Sequence, residues 1–123
     1  MARILVVDDS QTERHVLSEY LTQGGHEVFQ SDSGEDGIIK AKAIRPDLVM
    51  MDVVMPGLNG FQATRILQRT PETQSIPVLL CTTKDKETDR VWGMRQGACE
   101  YLTKPVRKDV LLAKIDECLK RRR

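Results

Sequence analysis

Leu48-Val49-Met50-Met51-Asp52-Val53-Val54-Met55-Pro56-Gly57-Leu58-Asn59-Gly60 puts four apolar residues in a row, then a lone carboxylate, a turn at Met55-Pro56-Gly57, and a helix expected after Asn59. An apolar run that does not alternate with polar residues suits a strand covered on both faces, the usual condition of a parallel sheet. Similar runs lie on either side: Ile4 to Val7, Val28-Phe29 with their neighbours, Ile76 to Cys81, and Tyr101-Leu102. Segments with helical spacing separate them, and one more closes the chain.

The first helix is signalled by Ser10-Gln11-Thr12-Glu13, a capping-box spacing, with Val16, Leu17, Tyr20 and Leu21 on one face and Gly24-Gly25 as its stop. The second can start at Ser33, carries Ile38, Ala41 and Ile44, and must end before Pro46. Phe61, Ala63, Ile66 and Leu67 mark the third, closed by Pro71. Thr83 can cap the fourth, whose stripe is Val91, Met94 and Ala98, with Gly97 near its end. The fifth follows Pro105 with Val110, Leu111, Ala113, Ile115 and Leu119, and Arg107 is a poor N-cap that predicts fraying there. Regular alternation of strand and helix implies right-handed crossovers, so the expected fold class is α/β, an open doubly wound parallel sheet of five strands.

With 123 residues the chain fits one domain, read here as 1–123, and needs no metal or disulfide staple to fold. Lys+Arg 19 against Asp+Glu 18 leaves a formal net charge of +1, which steers the whole protein toward neither nucleic acid nor an acidic membrane. The basic run Lys120-Arg121-Arg122-Arg123 reads as a helix end, where cations suit the dipole. Cys81, Cys99 and Cys118 have no metal-ligand spacing and read as reduced core or half-buried thiols. Ile4 to Val7 is too short for a signal sequence or a membrane span, so a cytoplasmic location is expected.

In open α/β sheets ligands bind beyond the carboxyl ends of the strands, where the strand order reverses. The first run ends in Asp8-Asp9, the third in Asp52, the fourth in Thr82-Thr83, and the fifth leads into Lys104-Pro105. Three carboxylates gathered in a partly buried site repel one another, and Lys104 can compensate only one of those charges. A hard divalent cation with oxygen ligands resolves the conflict, and Mg²⁺ is the usual ion where carboxylates share an octahedron with waters and a phosphoryl oxygen. Asp52 is then equipped to be a nucleophile toward a phosphoryl group, with Lys104 and Thr82 neutralising or hydrogen-bonding its oxygens. His15 and His26 have no partner at useful spacing and read as surface or structural.

Val7-Asp8-Asp9-Ser10, Met51 to Gly60, the Thr82 strand end and Tyr101-Leu102-Thr103-Lys104-Pro105 together resemble the receiver domain of two-component response regulators, over essentially the whole chain. The resemblance implies a flavodoxin-like strand order 2-1-3-4-5, Asp52 as phosphoacceptor, and Mg²⁺ held by Asp9 and Asp52, with Asp8 acting through water and the Val54 carbonyl as a further ligand. It also implies Thr82 and Tyr101 as a switch pair, Lys104 as the phosphate-pairing lysine, and a cis peptide at Lys104-Pro105. A histidine kinase or its phosphotransfer domain would be the donor. Output would pass from a monomer to a protein target through the face of helix 4, strand 5 and helix 5, with no nucleic acid and no membrane insertion. More narrowly, Met55 to Arg65, Thr82-Thr83-Lys84-Asp85, Trp92-Gly93 and Arg95-Gln96-Gly97-Ala98 are similar to PilH-type regulators, CheY-like members of the chemotaxis-like system that controls type IV pili and twitching motility.

Other functions stay open on the residues. A flavodoxin-like electron carrier shares the fold class, although Asp8-Asp9 would set two negative charges where a cofactor phosphate must sit. A phosphatase with a nucleophilic aspartate would need an acid/base and a substrate cap that the chain does not clearly offer. A receiver that drains phosphate from another regulator, instead of signalling, would carry the same site.

Overall fold

The structure is a computed structural model that describes residues 1–121. Among them, β1 (Arg3–Val7), α1 (Gln11–Gln23), β2 (Glu27–Ser31), α2 (Gly34–Ile44), β3 (Leu48–Met51), α3 (Gly60–Arg69), β4 (Val78–Thr82), α4 (Glu87–Arg95), β5 (Glu100–Thr103) and α5 (Lys108–Arg121) alternate without exception. The strands form one all-parallel sheet in the order β2-β1-β3-β4-β5, as the resemblance implies.

Successive strand residues point to opposite faces. Leu5, Val7, Val49, Met51 and Leu80 therefore meet Ile38 and Ala41 of α2 and Ala63 and Leu67 of α3 on one side. Ile4, Val6, Leu48, Met50 and Leu79 meet Leu17 and Leu21 of α1 and Leu111 and Ile115 of α5 on the other. Both sets are buried, which is the physical reason the runs do not alternate. Each buried Val, Leu, Ile or Met side chain contributes about 1.5–3 kcal/mol by leaving water, so this two-sided core outweighs any single cap or ion pair.

Local signals end the helices where expected in the first three cases. Ser10 Oγ accepts from the Glu13 N–H and Ser33 Oγ from the Asp36 N–H. Asn59 and Gln62 complete a reciprocal capping box at α3. Arg45 takes the left-handed conformation (φ 47°) that closes α2 before Pro46.

Three readings need correction. Thr83 does not cap α4, which begins four residues later at Glu87, where the Asp89 carboxylate accepts from the Lys86 N–H. Nor is Val91 on the packed face of that helix. Gly93 is, so near Leu80 and the Tyr101 ring that a Cβ there would lie 2.9 Å from each. Finally, Cys99 and Cys118 are joined in a disulfide, with Cα atoms 5.9 Å apart, so the expected set of three reduced thiols fails for this pair. They are 19 residues apart in sequence, and only the packing of α5 beside the start of β5 brings them together. Cys81 is free and buried. Lys120 and Arg121 stand in the last turn of α5, whereas Arg122 and Arg123 lie outside the described residues.

Candidate functional site

Asp8 and Asp52 are the first residues beyond β1 and β3, and the sheet's hydrogen bonding continues past the strand ends to hold them. The Asp8 N–H donates to the Ser31 carbonyl (3.1 Å) and the Asp52 N–H to the Val7 carbonyl (3.0 Å). On the far side the Lys104 N–H donates to the Thr82 carbonyl (2.8 Å). Because β1 lies between β2 and β3, these ends flank the point where the strand order reverses. The turn after Asp52 depends on Gly60, since a Cβ there would overlap the Asp52 carbonyl oxygen.

Lys104 reaches back across the sheet ends. Its ammonium donates to Asp8 Oδ2 at 2.6 Å and lies 3.7 Å from Asp52 Oδ2 and 3.5 Å from Glu13 Oε1. The Lys104–Pro105 peptide that launches this side chain is cis, as the resemblance implies. Asp8 is fixed further by accepting from the Ser10 N–H at 2.9 Å. Asp52 Oδ1 accepts from the Val53 N–H at 2.7 Å and the Val54 N–H at 3.4 Å, so its second oxygen is the one left beside the lysine.

Asp9 is exposed at the rim, and one carboxylate oxygen from each of Asp8, Asp9 and Asp52 falls within 4.8 Å of the others. Val54 and Thr83 line the same open cavity, of about 530 Å³. Burial works against the charged lysine, yet the hydrogen bond it donates to Asp8 and the charges of Asp52, Asp8 and Glu13 outweigh it and hold the Lys104 pKa above its ordinary value. Burial likewise pushes the Asp52 carboxyl above its ordinary range, against the pull of Lys104 and the Thr82 hydroxyl. With Glu13 included, the carboxylates outnumber the one ammonium among them four to one. Clustered hard oxygens, an uncompensated negative charge and an open side are the conditions that suit Mg²⁺.

Thr82 and Tyr101 sit beside the site and converge on one residue. Thr82 Oγ1 accepts from the Lys84 N–H at 3.4 Å, and the Tyr101 hydroxyl donates to the Lys84 carbonyl at 2.8 Å. Tyr101 is 6% exposed, and burial, with Asp89, Asp52 and Asp85 nearby, pushes its phenol up to about 12. All seven expected site residues thus occupy one end of the sheet. Glu13 escaped the sequence reading, because its spacing was fully accounted for as a cap, whereas Thr83, read with Thr82 at the end of the fourth strand, stands in the cavity wall. Of the histidines, His15 is exposed and His26 accepts from the Ala2 N–H through Nδ1, a structural role.

The model of the response regulator receiver domain matches residues 4–116. The chain belongs to this family. Among curated relatives it is 56% identical to Protein PilH of Pseudomonas aeruginosa over 119 residues, covering 97% of this chain and 98% of PilH. It is 38% identical to the transcriptional regulatory protein AfsQ1 of Streptomyces coelicolor over 121 residues, which is 98% of this chain but 52% of AfsQ1. Among solved structures, Vibrio cholerae chemotaxis protein CheY4 superposes with a TM-score of 0.89 at 30% identity, covering 96% of this receiver and 98% of CheY4. The likeness to PilH and CheY4 spans nearly the whole of each partner, whereas in AfsQ1 a receiver like this one makes up about half of the protein. No helix among the described residues is long and apolar enough to cross a membrane.

Proposed function

We propose that this receiver, read as one domain over 1–123, takes a phosphoryl group from a histidine kinase or its phosphotransfer domain onto Asp52. One observation carries the reading: Asp52 presents an oxygen 3.7 Å from the buried Lys104 ammonium, inside a ring of carboxylates at the strand-order reversal. In the transfer Asp52 Oδ2 attacks phosphorus, the phosphorus–nitrogen bond of the donor phosphohistidine breaks, and the bonding pair leaves with the imidazole. The product is an acyl phosphate. Asp9 and Asp52 would hold Mg²⁺ directly, with Asp8 through water and Val54 through its carbonyl, and the ion would supply charge neutralisation to the phosphoryl oxygens.

Lys104 pairs with a phosphoryl oxygen by exchanging part of its contact with Asp8, and Thr82 donates its hydroxyl to another. Drawing Thr82 toward phosphate loosens its tie to Lys84, to which Tyr101 is also tied. A threonine and a buried aromatic sharing one loop anchor form an element with two arrangements. Output then passes through the face of α4, β5 and α5 to a protein target. The similarity to PilH supports a place in a chemotaxis-like pathway controlling type IV pili and twitching motility, with the receiver acting as a cytoplasmic monomer.

Phosphotransfer profiling tests the partner directly. Radiolabelled histidine kinases of the host should include one that passes label to this receiver in seconds and leaves Asp52→Asn unlabelled. If the preferred kinase belongs to a pathway unconnected with pili, the twitching assignment fails. If none transfers label, the histidine-kinase reading fails with it.

A further inference from the structure

At the opposite end of the sheet from Asp52, Cys99 precedes β5 and Cys118 lies where the last turn of α5 begins. We propose that these two form a reversible thiol–disulfide site, oxidised by a low-molecular-weight disulfide of the glutathione type through Cys99 and resolved by Cys118. The backbone alone places them for it, because a Cα separation of 5.9 Å is in the middle of the range a disulfide spans. Cys99 is held there by its own N–H, which donates to the Val78 carbonyl at 2.8 Å.

The two sulfurs differ in access. Cys99 is partly exposed and lines a cavity of about 210 Å³ together with Gly97, Cys118 and Arg121, whereas Cys118 is 1% exposed. An incoming disulfide therefore meets Cys99 first. Arg121 forms part of the cavity wall, its guanidinium donating to the Cys99 carbonyl at 2.9 Å and lying 3.6 Å from Cys118 Sγ. A cation beside a buried thiol favours the thiolate that must do the second attack. Cys81 offers the internal contrast: it is buried outside the disulfide, and burial pushes its thiol up to about 12.

The exchange balances without a further reagent. The Cys99 thiolate attacks one sulfur of the small disulfide, forming a mixed disulfide and releasing one thiol. The Cys118 thiolate then attacks Cys99 Sγ and expels the second thiol, so the protein loses two electrons and two protons and the reagent gains them. In a reducing compartment the pair rests as thiols and closes when small disulfides accumulate. Closure ties the end of α5 to the start of β5. It leaves the Asp52 site untouched, so the inference stands apart from the phosphotransfer reading.

The test uses the full chain, reduced, then incubated with oxidised glutathione, denatured in acid and alkylated. Two of the three thiols should be lost to alkylation, a Cys99–Cys118 peptide should appear, and dithiothreitol should restore all three. Amide exchange across 116–121 should slow on oxidation. Cys118→Ser should accumulate one glutathione at Cys99, whereas folded Cys99→Ser should acquire none at Cys118. Three alkylatable thiols after treatment of the parent protein would overturn the proposal, as would adduct formation at Cys118 in Cys99→Ser as fast as at Cys99 in Cys118→Ser.

Discussion

Asp52 is 9% exposed, and its carboxyl is held above the ordinary value of 3.8 chiefly by burial. A carboxyl whose folded pKa is raised binds more protons folded than unfolded between the two values, so stability falls as pH rises from 3.8 through the folded value and the cost then stays constant. Asp52→Asn removes that cost. Urea unfolding without divalent cation should therefore find Asp52→Asn more stable than the parent at neutral pH, with the gap closing toward pH ~3, below both values. Mg²⁺ should narrow the gap at neutral pH by stabilising only the parent, through binding to the native state. A variant less stable than the parent at both pH values would mean that Asp52 is not the strained acid of the site. At this scale the sequence pointed to the strand-end residues that the structure gathers around Asp52. Glu13 was missed because a local explanation, the cap at Ser10, already satisfied its spacing, although its carboxylate faces Lys104 at 3.5 Å.

Elements differ in how openly they advertise themselves. β1, β3 and β4 were the most legible strands because both of their faces are buried, and α1 to α3 were legible because Ser10, Ser33 and Asn59 are strong caps. Asn59 Oδ1 accepts from the Gln62 N–H and Gln62 Oε1 from the Asn59 N–H, both at 2.9 Å. Asn59→Ala should cost about 1 kcal/mol in urea unfolding, and a cost near zero would show that the neighbouring turn, not the cap, fixes the start of α3. The packed face of α4 was only partly legible: Met94 was foreseen and packs on the core, but the residue of closest approach is Gly93, and a residue without a side chain leaves no trace in a hydrophobic period. Close approach there sets α4 against Tyr101, while Trp92, the preceding residue, is 47% exposed on the proposed output face. Its emission should shift when Mg²⁺ and beryllofluoride, a phosphoryl mimic, are added together. The shift should vanish in Asp52→Asn and shrink in Thr82→Ala. Unchanged emission and unchanged amide exchange over residues 83–105 would remove α4 and β5 from the switch.

For the whole molecule, strand order is what converts scattered residues into a site. With β1 between β2 and β3, Asp8 and Asp9 meet Asp52 from the adjacent β3, and Lys104 reaches them from the end of β5, two strands further on. Alternation of strand and helix was enough to foresee a parallel sheet with chemistry at its carboxyl ends, since both follow from chain handedness and backbone dipoles rather than from particular side chains. Pairings that depend on how helices settle, Cys99 with Cys118 and Tyr101 with Lys84, were not foreseeable, because neither partner carries a local signal of the other. A cavity ringed by carboxylates also argues against the flavodoxin-like alternative, whose cofactor phosphate would enter a field of its own sign. The central claim, that Asp52 accepts phosphate, is tested most directly by intact mass after incubation with acetyl phosphate and Mg²⁺. The account expects one added phosphoryl group, mapped to Asp52, absent in Asp52→Asn and absent when the metal is chelated. A phosphoryl group mapped to any other residue, or one gained undiminished by Asp52→Asn, would contradict it.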